Sequence, residues 1–191
     1  MLRNHEDAFT GLEAAIVLIA FVVVAAVFSY VVLGAGFFTT QKAQETVYKG
    51  VEQATANLQM IGNVYAFNST PATITGEKTI DEIRITLALA PGAPSVDLSK
   101  MRIVFSTPAT IPVVLNYTAT AANTASFNTT LTGGSSTVSS MSAGDQVQVD
   151  FFVVQVSKST TMNFELRPSV GAALPFTKIA PASIDKTNIL Y

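Results

Sequence analysis

Residues 14–38 read AAIVLIAFVVVAAVFSYVVLGAGFF, 25 consecutive positions without a charge. A helix of about 20 apolar residues, rising about 1.5 Å at each, crosses the hydrocarbon core of a bilayer, so this stretch is long enough to span one. Its β-branched residues, Ile16, Val17, Ile19, Val22, Val23, Val24, Val27, Val31 and Val32, favour extended structure in isolation. A lone strand in lipid would leave its backbone unpaired, whereas a helix closes its hydrogen bonds internally, so helix is expected. Secretory signals are shorter and end at a small-residue cleavage site. Here the run leads directly into more helix-like sequence, and its retention is expected. Gly34 and Gly36 weaken such a helix by roughly 1 kcal/mol each in water but allow close backbone approach in lipid or a tight bundle.

Downstream, Val47, Val51, Ala54, Leu58, Ile61 and Tyr65 recur at alternating spacings of four and three, with Lys42, Gln44, Glu45, Lys49, Glu52, Gln53 and Gln59 between them. One helix from Thr10 to Tyr65 is therefore expected, on the order of 80 Å long. That is too long to bury against one small domain, so much of it needs partners outside its own fold. The stripe reads equally as a face resting on the chain's own β-domain and as a seam between molecules, and both readings stay open.

Beyond Tyr65 the period changes. Asn68-Ser69-Thr70-Pro71 and Gly76 mark a break, which places a domain boundary near Phe67. Ile83, Ile85, Leu87 and Leu89 alternate with Arg84, Thr86 and Ala88. Met101, Ile103 and Phe105 repeat the pattern, as do Ile111, Val113, Leu115 and Tyr117, then Met162, Phe164 and Leu166. The run through Val147, Val149, Phe151 and Val153 is apolar on both faces and reads as a central strand. About seven short strands suggest an antiparallel sandwich resembling an immunoglobulin-like fold, with Pro112 at an edge or bulge. The expected class is α+β, a long N-terminal hydrophobic helix followed by that sandwich. Thr118 to Gly144, rich in Thr, Ser, Ala and Asn, reads as a surface loop or mobile hairpin.

Composition excludes several functions. Hydrophobic residues make up 49% against 13% charged, and the apolar excess near the N-terminus points to membrane or assembly rather than a soluble enzyme. The net charge of -2 comes without a Lys/Arg cluster or aromatic-basic stripe, so no nucleic-acid partner is expected. The chain has no cysteine, hence no thiolate metal site, and its one histidine, His5, has no second histidine with which to form a cluster. No GxSxG, P-loop, HExxH or GxGxxG motif appears, so neither catalysis nor a cofactor is expected. Asp145 with Asp150, or Asp81 with Glu82, could hold Ca²⁺ in a folded loop, but such pairs are more often solvated faces, and no metal ligand is assigned.

Ala8-Phe9-Thr10-Gly11-Leu12-Glu13 before the apolar run, with Thr39-Thr40-Gln41-Lys42-Ala43-Gln44-Glu45 after it, closely resembles the archaellins, the flagellins of archaea. A weaker echo runs from Phe164-Glu165-Leu166-Arg167-Pro168 to Ile184-Asp185-Lys186. The resemblance implies a leader, Met1 to Asp7, cut between Asp7 and Ala8 by a prepilin-type leader peptidase. It further implies a filament-core helix over residues 8–67 and an outer β-domain over 68–191. The expected product is an extracellular filament on the archaeal cell surface, the swimming archaellum, built from a membrane-inserted precursor. Its expected partners are copies of itself, with room for other archaellins, and a cytoplasmic assembly ATPase with a membrane platform. Glu13, Val24 and Phe28 are the expected assembly residues. The Glu13 carboxylate could meet the ammonium freed at Ala8 of a neighbour, or simply close a capping box with Thr10. Asn68, Asn116 and Asn128 head N-glycosylation sequons in a domain that should be exported. An adhesion pilin would share this leader and helix. A single-span surface protein with a ligand-binding β-domain would instead keep its N-terminus and stay monomeric.

Overall fold

Helix α1 runs without interruption from His5 to Thr55, 51 residues or about 75 Å. The computed structural model describes residues 5–68 and 78–191, with side chains from residue 11 onward; the side chains of the expected leader and of Thr10, and the second and third positions of the Asn68 sequon, lie outside the described residues. In the uncut chain α1 begins before Thr10, and the capping-box reading of Glu13, which depends on the Thr10 side chain, lies outside the described residues.

The helix also ends earlier than the expected boundary at Phe67. Its last backbone bond of helical spacing joins the Ala56 amide to the Glu52 carbonyl at 2.9 Å, and the Asn57 side-chain amide donates to the Ala54 carbonyl at 3.1 Å. Asn57 thus supplies a donor to a carbonyl that the helix end would leave unpaired. Leu58 and Tyr65, read as helical, lie in β1 (Leu58–Met60) and β2 (Val64–Phe67). The chain turns between them through Gly62 at φ +74°, a backbone conformation that costs glycine little. By internal packing the chain divides between Lys49 and Gly50, so the last turn of α1 belongs with the β-domain.

The remaining strands are β3 (Ile80–Leu89), β4 (Val96–Asp97), β5 (Arg102–Thr107), β6 (Thr110–Tyr117), β7 (Ser126–Leu131), β8 (Ser140–Met141), β9 (Gln146–Val156), β10 (Thr161–Arg167), β11 (Leu174–Ile179) and β12 (Thr187–Leu190). The main sheet is ordered β11-β10-β5-β6-β7-β9-β3-β2-β12; β1 also pairs with β3, and β4 and β8 form a separate small ladder. Pairing is antiparallel except between β6 and β7, which run parallel through Asn116 opposite Ser126 and Tyr117 opposite Phe127. The expected α+β organisation is the one observed, and β9 is central, between β7 and β3. Pro112 sits at the register shift of the β5–β6 ladder, between Thr110 and Val113, on the part of β6 that has no second neighbour, so its missing amide costs no second ladder.

The sheet doubles over on itself. Phe151 of β9 and Phe164 of β10 are separated by three intervening strands in the hydrogen-bonded order, yet their ring centroids are 6.1 Å apart. Phe105 and Phe176 approach Phe164 at 5.3 Å and 5.0 Å, and Ile83, Ile85, Leu87, Val147 and Val149 fill the same core with no exposure. Each such side chain contributes about 1.5 to 3 kcal/mol by leaving water. The two terminal strands of the sheet meet where the Ile179 amide donates to the Tyr191 carbonyl at 2.8 Å.

β7 overturns the reading of Thr118 to Gly144 as surface loop. Phe127 and Thr129 alternate inward and are fully buried, and the Thr129 hydroxyl donates to the Val138 carbonyl, so a polar residue enters the core with its hydrogen bond made.

Candidate assembly surface

From Glu13 to Lys42 α1 carries no charge on the intervening 28 side chains, about 40 Å of helix. None of its large apolar residues is covered: between Leu12 and Phe38 their exposure runs from 54% at Val23 and Val32 to 80% at Tyr30. A helix apolar on every side either spans a membrane or forms the centre of something larger. Left in water, these side chains would forgo on the order of tens of kcal/mol, counted as an upper bound.

The polar groups at the upper end of this stretch are already prepared for dry surroundings. Thr39 donates its hydroxyl to the Ala35 carbonyl at 2.8 Å and Thr40 to the Gly36 carbonyl at 2.9 Å, so each can be buried without an unmade hydrogen bond. Charge returns one turn later as a ladder, Lys42 to Glu45 at 2.7 Å and Lys49 to Glu45 at 2.8 Å. Hydrogen bonds from Lys42 and then Lys49 hold the Glu45 carboxyl below its ordinary range. This ladder is exposed and screened, and it marks where the helix meets water rather than adding much stability.

Of the residues expected to act in assembly, Glu13, Val24 and Phe28 fall on one side of α1. At 100° per residue they lie within about 60° of arc. Val24 is 67% exposed and Phe28 71%. Asp7 and Ala8 are helical in backbone. Of the downstream stripe, Val51, in the same compact unit as the β-domain, is 55% exposed. Only at Ala56 and Leu58 does burial begin.

The sequon asparagines occupy unequal settings. Asn116, in β6, is exposed. Asn128, in β7, is half-buried; its side-chain nitrogen donates to the Thr120 carbonyl at 2.8 Å, and its oxygen is buried. The backbone amide of Asn68 donates to the Lys186 carbonyl at 3.2 Å.

The acidic pairs considered for Ca²⁺ have other partners. Asp145 accepts from the Ser142 amide at 2.9 Å, and Asp150 accepts from Arg84 at 2.5 Å. Arg84, with Glu82 at 3.5 Å and the Phe67 ring centroid at 5.0 Å, anchors a half-buried cluster across β2, β3 and β9 that periodicity alone does not reveal. Among the described residues no group of three or more His, Cys, Asp or Glu could hold a metal ion.

The model of the archaeal-type flagellin family matches residues 8–178. Probable flagellin 1 of Archaeoglobus fulgidus is 38% identical over 98% of this chain and 96% of its own length. Probable flagellin 2 of the same organism is 35% identical over the whole of this chain and 96% of its own. Among solved structures, the archaeal flagellum of Methanospirillum hungatei superposes with a TM-score of 0.72 at 29% identity, covering 95% of this chain and 99% of that one. An archaeal flagellin of Methanocaldococcus jannaschii shares the fold of 71% of this chain at a TM-score of 0.57 and 15% identity.

Proposed function

The chain belongs to the archaeal-type flagellin family, whose members are structural filament subunits, and from that premise we propose that it polymerises through α1 into the swimming filament of an archaeal cell. The observation that carries this reading is the charge-free stretch of α1, uncovered on every side. The same stretch suits a precursor held in the membrane before assembly, since it is long and apolar enough to cross one. Copies packed side by side remove it from both water and lipid.

Maturation removes Met1 to Asp7. The family match beginning at residue 8 supports a cut before Ala8, by a prepilin-type peptidase. The new ammonium then lies five residues from Glu13, and on a neighbouring copy the two neutralise each other where the apolar core excludes water. N-terminal sequencing of purified filaments tests the cut: the expected first residue is Ala8, and chains that retain Met1 would overturn it.

Moving α1 from lipid into a bundle gains little hydrophobic free energy, because lipid tails are as apolar as valine. A cytoplasmic ATPase acting on a membrane platform supplies the work of extraction. In the outer β-domain, glycan is expected on Asn116, whose side chain is exposed, ahead of Asn128, whose amide nitrogen must first leave the Thr120 carbonyl. Mass spectrometry of native filaments checks this order; modification of Asn128 with Asn116 bare would reverse it.

A further inference from the structure

Between Ala14 and Phe38 every side chain is hydrocarbon or hydrogen except at two adjacent positions, Ser29 and Tyr30. Thr39 and Thr40 above them satisfy their hydroxyls on carbonyls of their own helix. Among the described residues, Ser29 and Tyr30 make no such bond. Serine could turn back to its own backbone as those threonines do, but a tyrosine hydroxyl projects beyond reach of its own helix and needs an outside partner when buried.

The two residues face different ways, about 100° apart around the helix. Tyr30 is the most exposed large side chain of the run, a knob at 80% exposure. Ser29 instead lies in a groove walled by Phe28, Val32, Leu33 and Phe37 and opened at Gly36, which has no side chain to fill it. One copy cannot place its knob in its own groove. Packing of unlike surfaces between identical subunits, the arrangement that generates helical filaments, brings one copy's knob to another's groove.

We propose that Tyr30 of one subunit enters the Ser29–Gly36 groove of a neighbour, where its hydroxyl hydrogen-bonds with Ser29 and fixes the stagger between the two helices. This inference rests on α1 being the polymerisation surface. Valine-rich helices can slide past one another at little cost, and one polar pair per helix selects a single register, as a buried asparagine does in a coiled coil. The pair also separates filament from membrane: lipid matches the hydrocarbon of α1 equally well but offers the phenol no partner.

The test uses filaments assembled from full-length chains carrying Tyr30→Phe, Ser29→Ala or both, with subunit loss on warming followed by sedimentation. Each single change is expected to speed loss about tenfold, the factor for one hydrogen bond unmade in dry surroundings, and the double variant should lose subunits no faster than Tyr30→Phe alone. Ser29→Thr, which keeps a hydroxyl in the groove, should stay near the wild-type rate. Wild-type rates in both single variants, or losses that simply multiply in the double, would overturn the pairing and leave the filament reading intact. Ser29→Thr as damaged as Ser29→Ala would assign the effect to packing and likewise overturn the pairing. Wild-type chains recovered only as membrane monomers would overturn both.

Discussion

Cells producing the chain with Val24→Asp are expected to build no filaments. Val24 lies near the middle of the charge-free stretch, 67% exposed in the single chain and on the same side of α1 as Glu13 and Phe28. Lys42, the next cation along the helix, is 18 positions away, about 27 Å along the axis, so the new carboxylate has no partner within its own α1. At the centre of a membrane helix it costs about 2.5 to 3.5 kcal/mol, enough to disturb the precursor without forbidding it. In a dry bundle an unpaired charge costs more, and every subunit repeats the defect. Val24→Ala, which trims the side chain without adding charge, should still assemble. Negative-stain microscopy of cells whose variant is shown by mass to be expressed and cleaved decides the matter. Normal filaments bearing Asp at position 24 would mean that this part of α1 is not in the dry core.

A second large effect is expected at Gly171, in the loop between β10 and β11. Its φ is +101°, and a Cβ built there would lie 1.6 Å from the Ala56 carbonyl oxygen and 2.8 Å from the Ala56 carbonyl carbon. Those atoms are backbone, in a residue with no exposure, so nothing flexible can give way. Gly171→Ala therefore combines a strained backbone, about 1 to 3 kcal/mol, with overpacking of similar size, a loss of roughly 2 to 6 kcal/mol in the unfolding free energy of the β-domain. Gly133→Ala supplies the control, because φ is +84° there too but nothing lies within 4 Å of the added atom. Only the backbone cost should appear. Urea unfolding of chains beginning at Gly50, the start of the compact unit, measures both. Equal losses at the two positions would show that the loop yields and that Ala56 is not held.

Much of this architecture is legible in the residues. The helix follows from hydropathy and length, because hydrocarbon on every side leaves no alternative that pairs its backbone. β3, β9 and β10 alternate over enough positions to declare their inner faces, and only toward its end does β9 add apolar residues, Phe152 and Val154, to the other face. The end of α1 was hidden by coincidence: Leu58, Ile61 and Tyr65 continue a helical spacing although they belong to strands or the turn between them, and strands of three or four residues are too short to display alternation. β7 was hidden by chemistry, since one of its inward residues is Thr129, polar on any scale yet satisfied by Val138. The candidate assembly surface is legible in sequence, because it depends on what side chains lack. The pinch between Gly171 and Ala56 joins residues far apart in the chain, and no local pattern marks it.

The meeting of β11 and β12 at Ile179 and Tyr191 matters most where copies are crowded. Subunits gathered on one polymer hold their outer domains at an effective concentration far above that of free protein. Under such crowding a long open sheet edge is a template for cross-β growth, which would glue neighbouring fibres into tangles. Here the two ends of the sheet are fastened toward each other, and the part of β6 bonded on one side only carries Pro112, which has no amide to offer an incoming strand. With α1 as the proposed polymerisation surface, the sheet edges then offer little competing route of association, and separate fibres can slide past one another in water.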